Sequence, residues 1–161
     1  MAPIQRRAKT AEPRKPSEAR GYAMDALARR EHGRGELAQK MNDAGFESDV
    51  VTDTLDKLAA EGLQCDARFV ESFIASYARR GKGPVRIQHE LCARGVDDAL
   101  SAQALSDSGI DWYQAARDVR CRKFGRETPE AFPERARQMR FLQYRGFTGE
   151  QIAASFSRSE R

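Results

Sequence analysis

The sequence is poor in the residues that metal, redox and disulfide chemistry require. Its 161 residues include three cysteines and two histidines. Cys65, Cys92 and Cys121 are odd in number, widely spaced and without a CxxC pair, which argues against a disulfide framework and fits a reducing compartment. His89 and Cys92 lie three residues apart on a predicted helix, but two ligands are too few for a zinc site. We therefore expect no metal and no other cofactor.

Long hydrophobic runs and catalytic motifs are also missing. No apolar run approaches the ~18–20 residues of a spanning helix, and no hydrophobic segment of a secretion signal is present. We therefore expect a cytoplasmic protein without a membrane partner. The sequence has no nucleophile elbow, zinc-protease motif or dinucleotide-binding glycine pattern, and the GKGP run at residues 81–84 lacks the spacing of a phosphate-binding loop. These absences disfavour an enzyme.

What the sequence does contain is one spaced pattern that occurs three times. The pattern has two positions four residues apart, a Gly four residues after the second, and an apolar residue directly after that Gly. Its copies are Leu37-Met41-Gly45-Phe46, Ile87-Leu91-Gly95-Val96 and Gln138-Leu142-Gly146-Phe147. The copies are offset by fifty and fifty-one residues, and the third has a glutamine at its first apolar position. Repetition at this period indicates tandem helical repeats.

The apolar residues recur with helical period, and no segment shows the alternation of a strand. The sequence predicts an all-α fold of nine short helices, arranged as three tandem three-helix repeats in an elongated array. A proline-rich basic segment, residues 1–17, has too few apolar groups to order itself and is predicted to be a disordered tail. The predicted repeats span residues 18–64, 65–109 and 110–161.

Several polar residues have the positions of helix N-caps. Ser17 precedes the first predicted helix, and Asp97 or Asp98 precedes the sixth. Thr148 and Gln151 have the spacing of a capping box, in which each side chain binds a backbone N–H of the other residue. These signals predict where the helices begin.

Charge is distributed unevenly along a chain whose net charge is +4. Residues 1–20 hold six basic and two acidic side chains, and residues 111–161 hold eleven and seven. Residues 21–60, with five and eight, and 61–110, with six and seven, are slightly acidic. Basic ends permit contact with nucleic acid or with an acidic protein surface.

The basic residues form two groups, and two interpretations of them stay open. One is a surface that contacts phosphates, with Tyr113, Phe141 and Tyr144 available for base stacking. The other is a solvated helix face with local acidic partners. For the group near residues 79–86, a protein partner is as plausible as DNA. The predicted partner-binding or DNA-binding residues are Arg79, Arg80, Lys82, Arg86, Arg94, Arg117, Arg120, Arg122, Lys123, Arg126, Arg137, Arg140 and Arg145.

Several stretches resemble the RecX family of RecA regulators over about residues 19–156. The most specific runs through Asp66–Phe69, Gly83-Pro84-Val-Arg-Ile87 and Glu90-Leu91 to Arg94-Gly95-Val96. The segments Glu36-Leu37, Gly45-Phe46, Ile110–Trp112, Phe141-Leu142 and Arg145–Phe147 are also similar to that family.

The resemblance implies a non-enzymatic protein that binds the filament of RecA on single-stranded DNA. It implies inhibition of the ATPase, strand-exchange and co-protease activities of RecA, and so modulation of recombinational repair and the SOS response. We expect a monomer with the RecA filament as partner and weaker or filament-dependent contact with single-stranded DNA. The alternative is a helix-turn-helix-like regulator that binds DNA without RecA. Acidic residues on the third helices of repeats 1 and 2 disfavour a base-reading role.

Overall fold

The computed structural model describes residues 12–157, which form helices joined by turns. A 3₁₀ turn at Pro16–Glu18 precedes nine α-helices, and no strand occurs within the described range. The helices are α1 (Ala19–Leu27), α2 (Arg34–Asp43), α3 (Ser48–Ala60), α4 (Asp66–Arg79), α5 (Pro84–Ala93), α6 (Asp98–Asp107), α7 (Trp112–Phe124), α8 (Phe132–Arg145) and α9 (Gly149–Ser155). The predicted all-α class and its three-helix repeats are confirmed. No helix in this range combines the length and apolarity needed to cross a membrane.

Helices α1–α3 form repeat 1, which lies in the first of two compact units, Met1–Cys65. Its core includes Leu37, Met41 and Phe46, the first copy of the repeated pattern. Arg20 donates two hydrogen bonds of 2.9 and 2.7 Å to the Glu61 carboxylate, which ties α1 to the end of α3. Both side chains are about half exposed, so this ion pair contributes little to stability.

The predicted tail lies largely outside the described residues. At its described end, the Arg14 N–H donates to the Gly45 carbonyl oxygen at 3.0 Å. The Arg14 guanidinium lies 5.3 Å from the ring centroid of Tyr22 and 5.6 Å from that of Phe46. The predicted Ser17 cap is wrong, because Ser17 lies inside the 3₁₀ turn and Glu18 occupies the N-cap position without a side-chain hydrogen bond.

Repeat 2 consists of α4–α6 and begins the second compact unit, Asp66–Arg161. Its core includes Ile87, Leu91 and Val96, the second copy of the pattern. Asp97 is the N-cap of α6, and its Oδ1 accepts from the Leu100 N–H at 3.1 Å. This resolves the predicted choice between Asp97 and Asp98.

Repeat 3 consists of α7–α9, and its core mixes apolar and polar groups. Leu142 and Phe147 are buried as the pattern predicts, and Gln138 is buried as well at 3% exposure. Gln138 Oε1 accepts from Arg120 at 3.4 Å, while its Nε2 donates to Glu134 at 3.2 Å. The glutamine therefore keeps the core position but uses it for hydrogen bonds. The predicted capping box of Thr148 and Gln151 is confirmed at the start of α9.

Repeats 2 and 3 are joined by direct contact between the α4–α5 and α8–α9 turns. The Gly83 N–H donates to the Arg145 carbonyl at 2.8 Å, and the Val85 N–H donates to the Gly146 carbonyl at 3.0 Å. The first N–H groups of a helix and its last carbonyls have no partner within the helix. Here the N–H groups at the start of α5 pair with the carbonyl groups at the end of α8, so the positive end of the α5 dipole lies against the negative end of the α8 dipole.

Glycine is required on both sides of this inter-repeat contact. A Cβ at Gly83 would overlap the Gly146 carbonyl group and lie 2.5 Å from the Phe147 nitrogen. A Cβ at Gly146 would overlap Arg86 Cβ, and Gly146 also has a φ of 96°, in the left-handed region that favours glycine. The third-copy glycine therefore ends a helix and admits the neighbouring repeat.

Candidate nucleic-acid interface

Basic side chains converge where repeat 2 meets repeat 3. A cavity of about 150 Å³ there is lined by Arg80, Gly81, Val119, Arg122, Lys123, Phe141 and Arg145. Lys82 directly follows Gly81 of this lining, and its ammonium group is repelled by both Arg145 and Arg86. We call Arg80, Lys82, Arg122, Lys123 and Arg145 the junction cations. They come from three elements, namely the end of α4 with its following turn, the end of α7 and the end of α8.

Aromatic rings and backbone carbonyls hold several of these side chains in place. The Phe141 ring centroid lies 5.1 Å from the Arg145 guanidinium and 5.9 Å from Lys123 Nζ. Arg145 Nη1 also donates to the Arg80 carbonyl oxygen at 3.1 Å. Cation–π contacts of this kind orient a cation without neutralising its charge. The positive charge of the group therefore stays available to an external anion.

Within the described residues, the cations of this cluster are not paired with carboxylates. No junction cation forms an ion pair with a carboxylate that belongs to residues 12–157. Burial lowers the pKa of Lys82, and repulsion from Arg145 and then Arg86 lowers it further, against a smaller opposing attraction from Glu90. Like charges held this close together create a strong positive potential, which lowers the pKa of a lysine among them. A phosphate bound there would reduce the repulsion between the cations.

Arg86 sits at the edge of the junction cations and is partly neutralised. Its guanidinium lies 5.3 Å from the Tyr144 ring centroid, and its Nη2 is 3.7 Å from Glu90 Oε1. Arg94 Nη1 binds the other oxygen of Glu90 at 2.7 Å. The hydrogen bond from Arg94 is the main reason why the pKa of Glu90 is lowered. Arg94 is thus engaged inside repeat 2, whereas Arg86 holds an exposed aromatic ring.

Five other predicted residues lie away from the cavity or have internal partners. Arg79 lines a groove between α4 and α6 together with the acidic residues Glu71 and Asp107. Arg137 pairs with Glu134 at 3.2 Å. Arg126 and Arg117 line a second cavity in repeat 3, which Arg122 also reaches, and Arg117 donates to the Ala154 carbonyl at 3.2 Å. Arg140 is exposed on α8.

Arg120 is the one predicted contact residue that the structure corrects. It is 2% exposed. Its guanidinium donates to the carbonyls of Ser155, Glu127 and Arg126 and to Gln138, and it lies 5.2 Å from the Phe156 ring centroid. A buried cation needs this many acceptors to offset its desolvation. Arg120 therefore organises the core of repeat 3 and cannot reach DNA, although it shares a helix with exposed cations.

Two features of the junction had no sequence signal that specified them. The pairing of Arg86 with Tyr144 joins residues 58 positions apart, and sequence periodicity reports only near neighbours. The contact between Gly83 and Gly146 is equally long-range. The only hint was that both residues are glycines at helix boundaries.

Three family models together match most of the chain. They describe the first three-helix domain of RecX over residues 19–58, the second over 66–105 and the third over 110–154. Each match falls within one of the three helical repeats of the structure.

Relatives and solved structures agree with these matches. A Regulatory protein RecX from Ectopseudomonas mendocina is 47% identical over 137 residues, which cover 85% of this chain and 91% of that protein. One from Halorhodospira halophila is 47% identical over 136 residues, covering 84% of each. The crystal structure of RecX from Lactobacillus salivarius matches with a TM-score of 0.71 at 19% identity, covering 87% of this chain and 93% of that one. This last similarity supports the fold alone.

Proposed function

This chain belongs to the RecX family, and we propose that it regulates a RecA recombinase by binding the filament that RecA forms on single-stranded DNA. In this proposal, binding inhibits the ATPase, strand-exchange and co-protease activities of RecA. The chain would thereby restrain recombinational repair and the SOS response. The proposal extends to a protein that acts as a monomer in the cytoplasm and has no catalytic activity of its own.

The observation that carries this proposal is the set of junction cations. Five basic side chains from two repeats meet around one cavity, and none of them forms an ion pair with a carboxylate of the described residues. In water, such a cluster attracts phosphates and acidic side chains and releases their counterions on binding. A filament of RecA on DNA offers both kinds of group.

The electrostatics of the third helices favour filament binding over base reading. Asp53 pairs with Lys57 on α3, and Asp56 on the same helix pairs with Arg34. Asp97 is the N-cap of α6, and Asp98 lies in its first turn. Acidic side chains at these places would repel a DNA groove, so the junction is a better candidate for nucleic-acid contact than a helix-turn-helix recognition helix.

Inhibition of RecA ATPase tests the proposal. The rate of ATP hydrolysis by RecA on single-stranded DNA is measured while the wild-type chain is added, and we expect it to fall. The Arg122→Gln/Lys123→Gln variant should need at least about tenfold more protein for equal inhibition, since hydrogen bonds to charged groups contribute about 1.5–3 kcal/mol each. Both residues are exposed, so the fold should persist.

The matched control removes the same two charge types from repeat 1. Arg29 lies just after the end of α1, Lys40 lies on α2, and both are exposed. The Arg29→Gln/Lys40→Gln variant should inhibit RecA like the wild type. A wild-type chain that leaves RecA ATPase unchanged would contradict the proposed function. Equal loss in both variants would contradict the assignment to the junction. ATP hydrolysis by the chain alone would overturn its proposed non-enzymatic character.

A further inference from the structure

Tyr144 is an exposed aromatic ring placed beside the junction cations. It lies in the last turn of α8 and is 72% exposed. Its neighbour Arg145 belongs to the junction cations. So does Lys82, which directly precedes Gly83, the residue whose N–H donates to the Arg145 carbonyl oxygen at 2.8 Å. An exposed aromatic ring in a field of cations has the composition of single-strand binding surfaces, where bases stack and phosphates pair with charge.

The ring of Tyr144 is held from one side. The Arg86 guanidinium lies 5.3 Å from its centroid, and Arg86 Nη1 donates to the Tyr144 carbonyl oxygen at 3.4 Å. The same guanidinium also lies 3.7 Å from Glu90 Oε1. With Arg86 against one face and most of the ring exposed, the opposite face is open to a planar partner. This arrangement lowers the entropy that the ring would lose on stacking.

We propose that Tyr144 stacks on one base of a single DNA strand while Lys82 and Arg145 bind an adjacent phosphate. The inference rests on the proposed function and adds to it a defined nucleotide site. A nucleotide joins a planar base to an anionic group, and the junction offers an aromatic ring next to cations that form no ion pair with a carboxylate of residues 12–157. An apolar side chain of a protein partner would use the ring but leave these cations unpaired.

The test separates base stacking from phosphate binding. Fluorescence anisotropy measures the affinity of the purified chain at low salt for labelled oligo(dT) of about 15 nucleotides, near the upper site size of single-strand binding domains. A strand of equal length made of abasic sites carries the same phosphates without bases. We expect the wild type to bind oligo(dT) more tightly than the abasic strand.

Three variants give the expected pattern. Tyr144→Ala should weaken binding to oligo(dT) by about tenfold, in the range of one base stack, and leave binding to the abasic strand unchanged. Tyr144→Phe keeps the ring and should bind like the wild type. Phe132→Ala is the control, because Phe132 is an aromatic residue, 79% exposed, at the opposite end of the same helix; its binding to both strands should be unchanged.

Some outcomes would overturn the inference. These are an unchanged affinity of Tyr144→Ala for oligo(dT), an equal loss on both strands, or a wild-type chain without preference for bases. The RecA ATPase assay distinguishes this failure from that of the proposed function. If the wild type inhibits RecA while base preference is absent, only the nucleotide site is refuted. If the wild type fails to inhibit, the proposed function itself is refuted.

Discussion

Replacing Gly83 by alanine adds one methyl group at the contact between repeats 2 and 3. Gly83 has φ of −85° and ψ of 169°, an extended conformation that any residue adopts. The substitution therefore introduces no backbone strain of its own. Its effect is steric, since the added Cβ would overlap the Gly146 carbonyl group and lie 2.5 Å from the Phe147 nitrogen. The two turns must separate to accommodate it.

The cost follows from the contacts that separation removes. The hydrogen bonds from Gly83 to Arg145 and from Val85 to Gly146 each contribute about 1 kcal/mol net. Overpacking at a tight contact costs about 1–3 kcal/mol more, and the stiffer unfolded chain returns about 0.4–1 kcal/mol. We expect the free energy of unfolding of the second unit to fall by about 2–4 kcal/mol.

The single tryptophan provides the readout. Trp112 packs against the cores of both repeat 2 and repeat 3, so its fluorescence reports on their association. Urea denaturation followed by this fluorescence should show a lower midpoint for Gly83→Ala than for the wild type. Gly149→Ala is the control, because a Cβ at Gly149 meets no atom within 4 Å. Its free energy of unfolding should differ from that of the wild type by no more than about 0.5 kcal/mol.

One result would refute this reasoning. If Gly83→Ala and Gly149→Ala unfold at the same urea concentration, the close approach of the two turns contributes nothing to the association of repeats 2 and 3. Circular dichroism of both variants checks that the helices persist before denaturation.

Three further predictions concern charged side chains. Arg120→Met should lower the free energy of unfolding by about 3 kcal/mol in urea denaturation, because Gln138 and three backbone carbonyls lose a charged donor; unchanged stability would contradict its core role. Lys82→Gln should raise the thermal midpoint at pH 7, because burial and like charges lower the Lys82 pKa and its charge opposes folding; a lower midpoint would contradict this. Glu90→Gln should lower the midpoint at pH 7. Because Arg94 lowers the folded-state pKa of Glu90, the Glu90 carboxylate stabilises the fold at pH values above its ordinary pKa, and this stabilisation is lost as pH falls through the lowered value. Thermal melts at pH 7 and pH 3 should therefore show a smaller difference in midpoint between Glu90→Gln and the wild type in acid.

The fold was largely predictable because its signals are local. The repeated pattern places Leu37, Ile87 and Leu142 in three cores, and all three are buried. The cap of Asp97 and the capping box of Thr148 also depend on neighbours within a few residues. Helical periodicity and cap chemistry act over one or two turns, so a single sequence carries them.

The candidate site was predictable only in composition. The sequence predicted both Arg120 and Lys123 as contact residues, yet Arg120 is 2% exposed and Lys123 is exposed. A core that replaces an apolar residue by Gln138 needs a polar partner, and Arg120 supplies it from another helix. Lys82, Arg145 and Lys123 come together only because of how repeats 2 and 3 pack. The spacing of these residues along the chain does not show that they lie close in space.

Binding of the chain to RecA filaments on single-stranded DNA, measured by co-sedimentation at several salt concentrations, tests the central claim most directly. The account predicts that Arg122→Gln/Lys123→Gln binds more weakly than the wild type. It also predicts a salt dependence shallower by about 1.4 in log–log slope, for two lost contacts with a single strand. The Arg29→Gln/Lys40→Gln control should match the wild type in both. Wild-type affinity and slope in the junction variant would contradict the claim that the junction cations bind the filament.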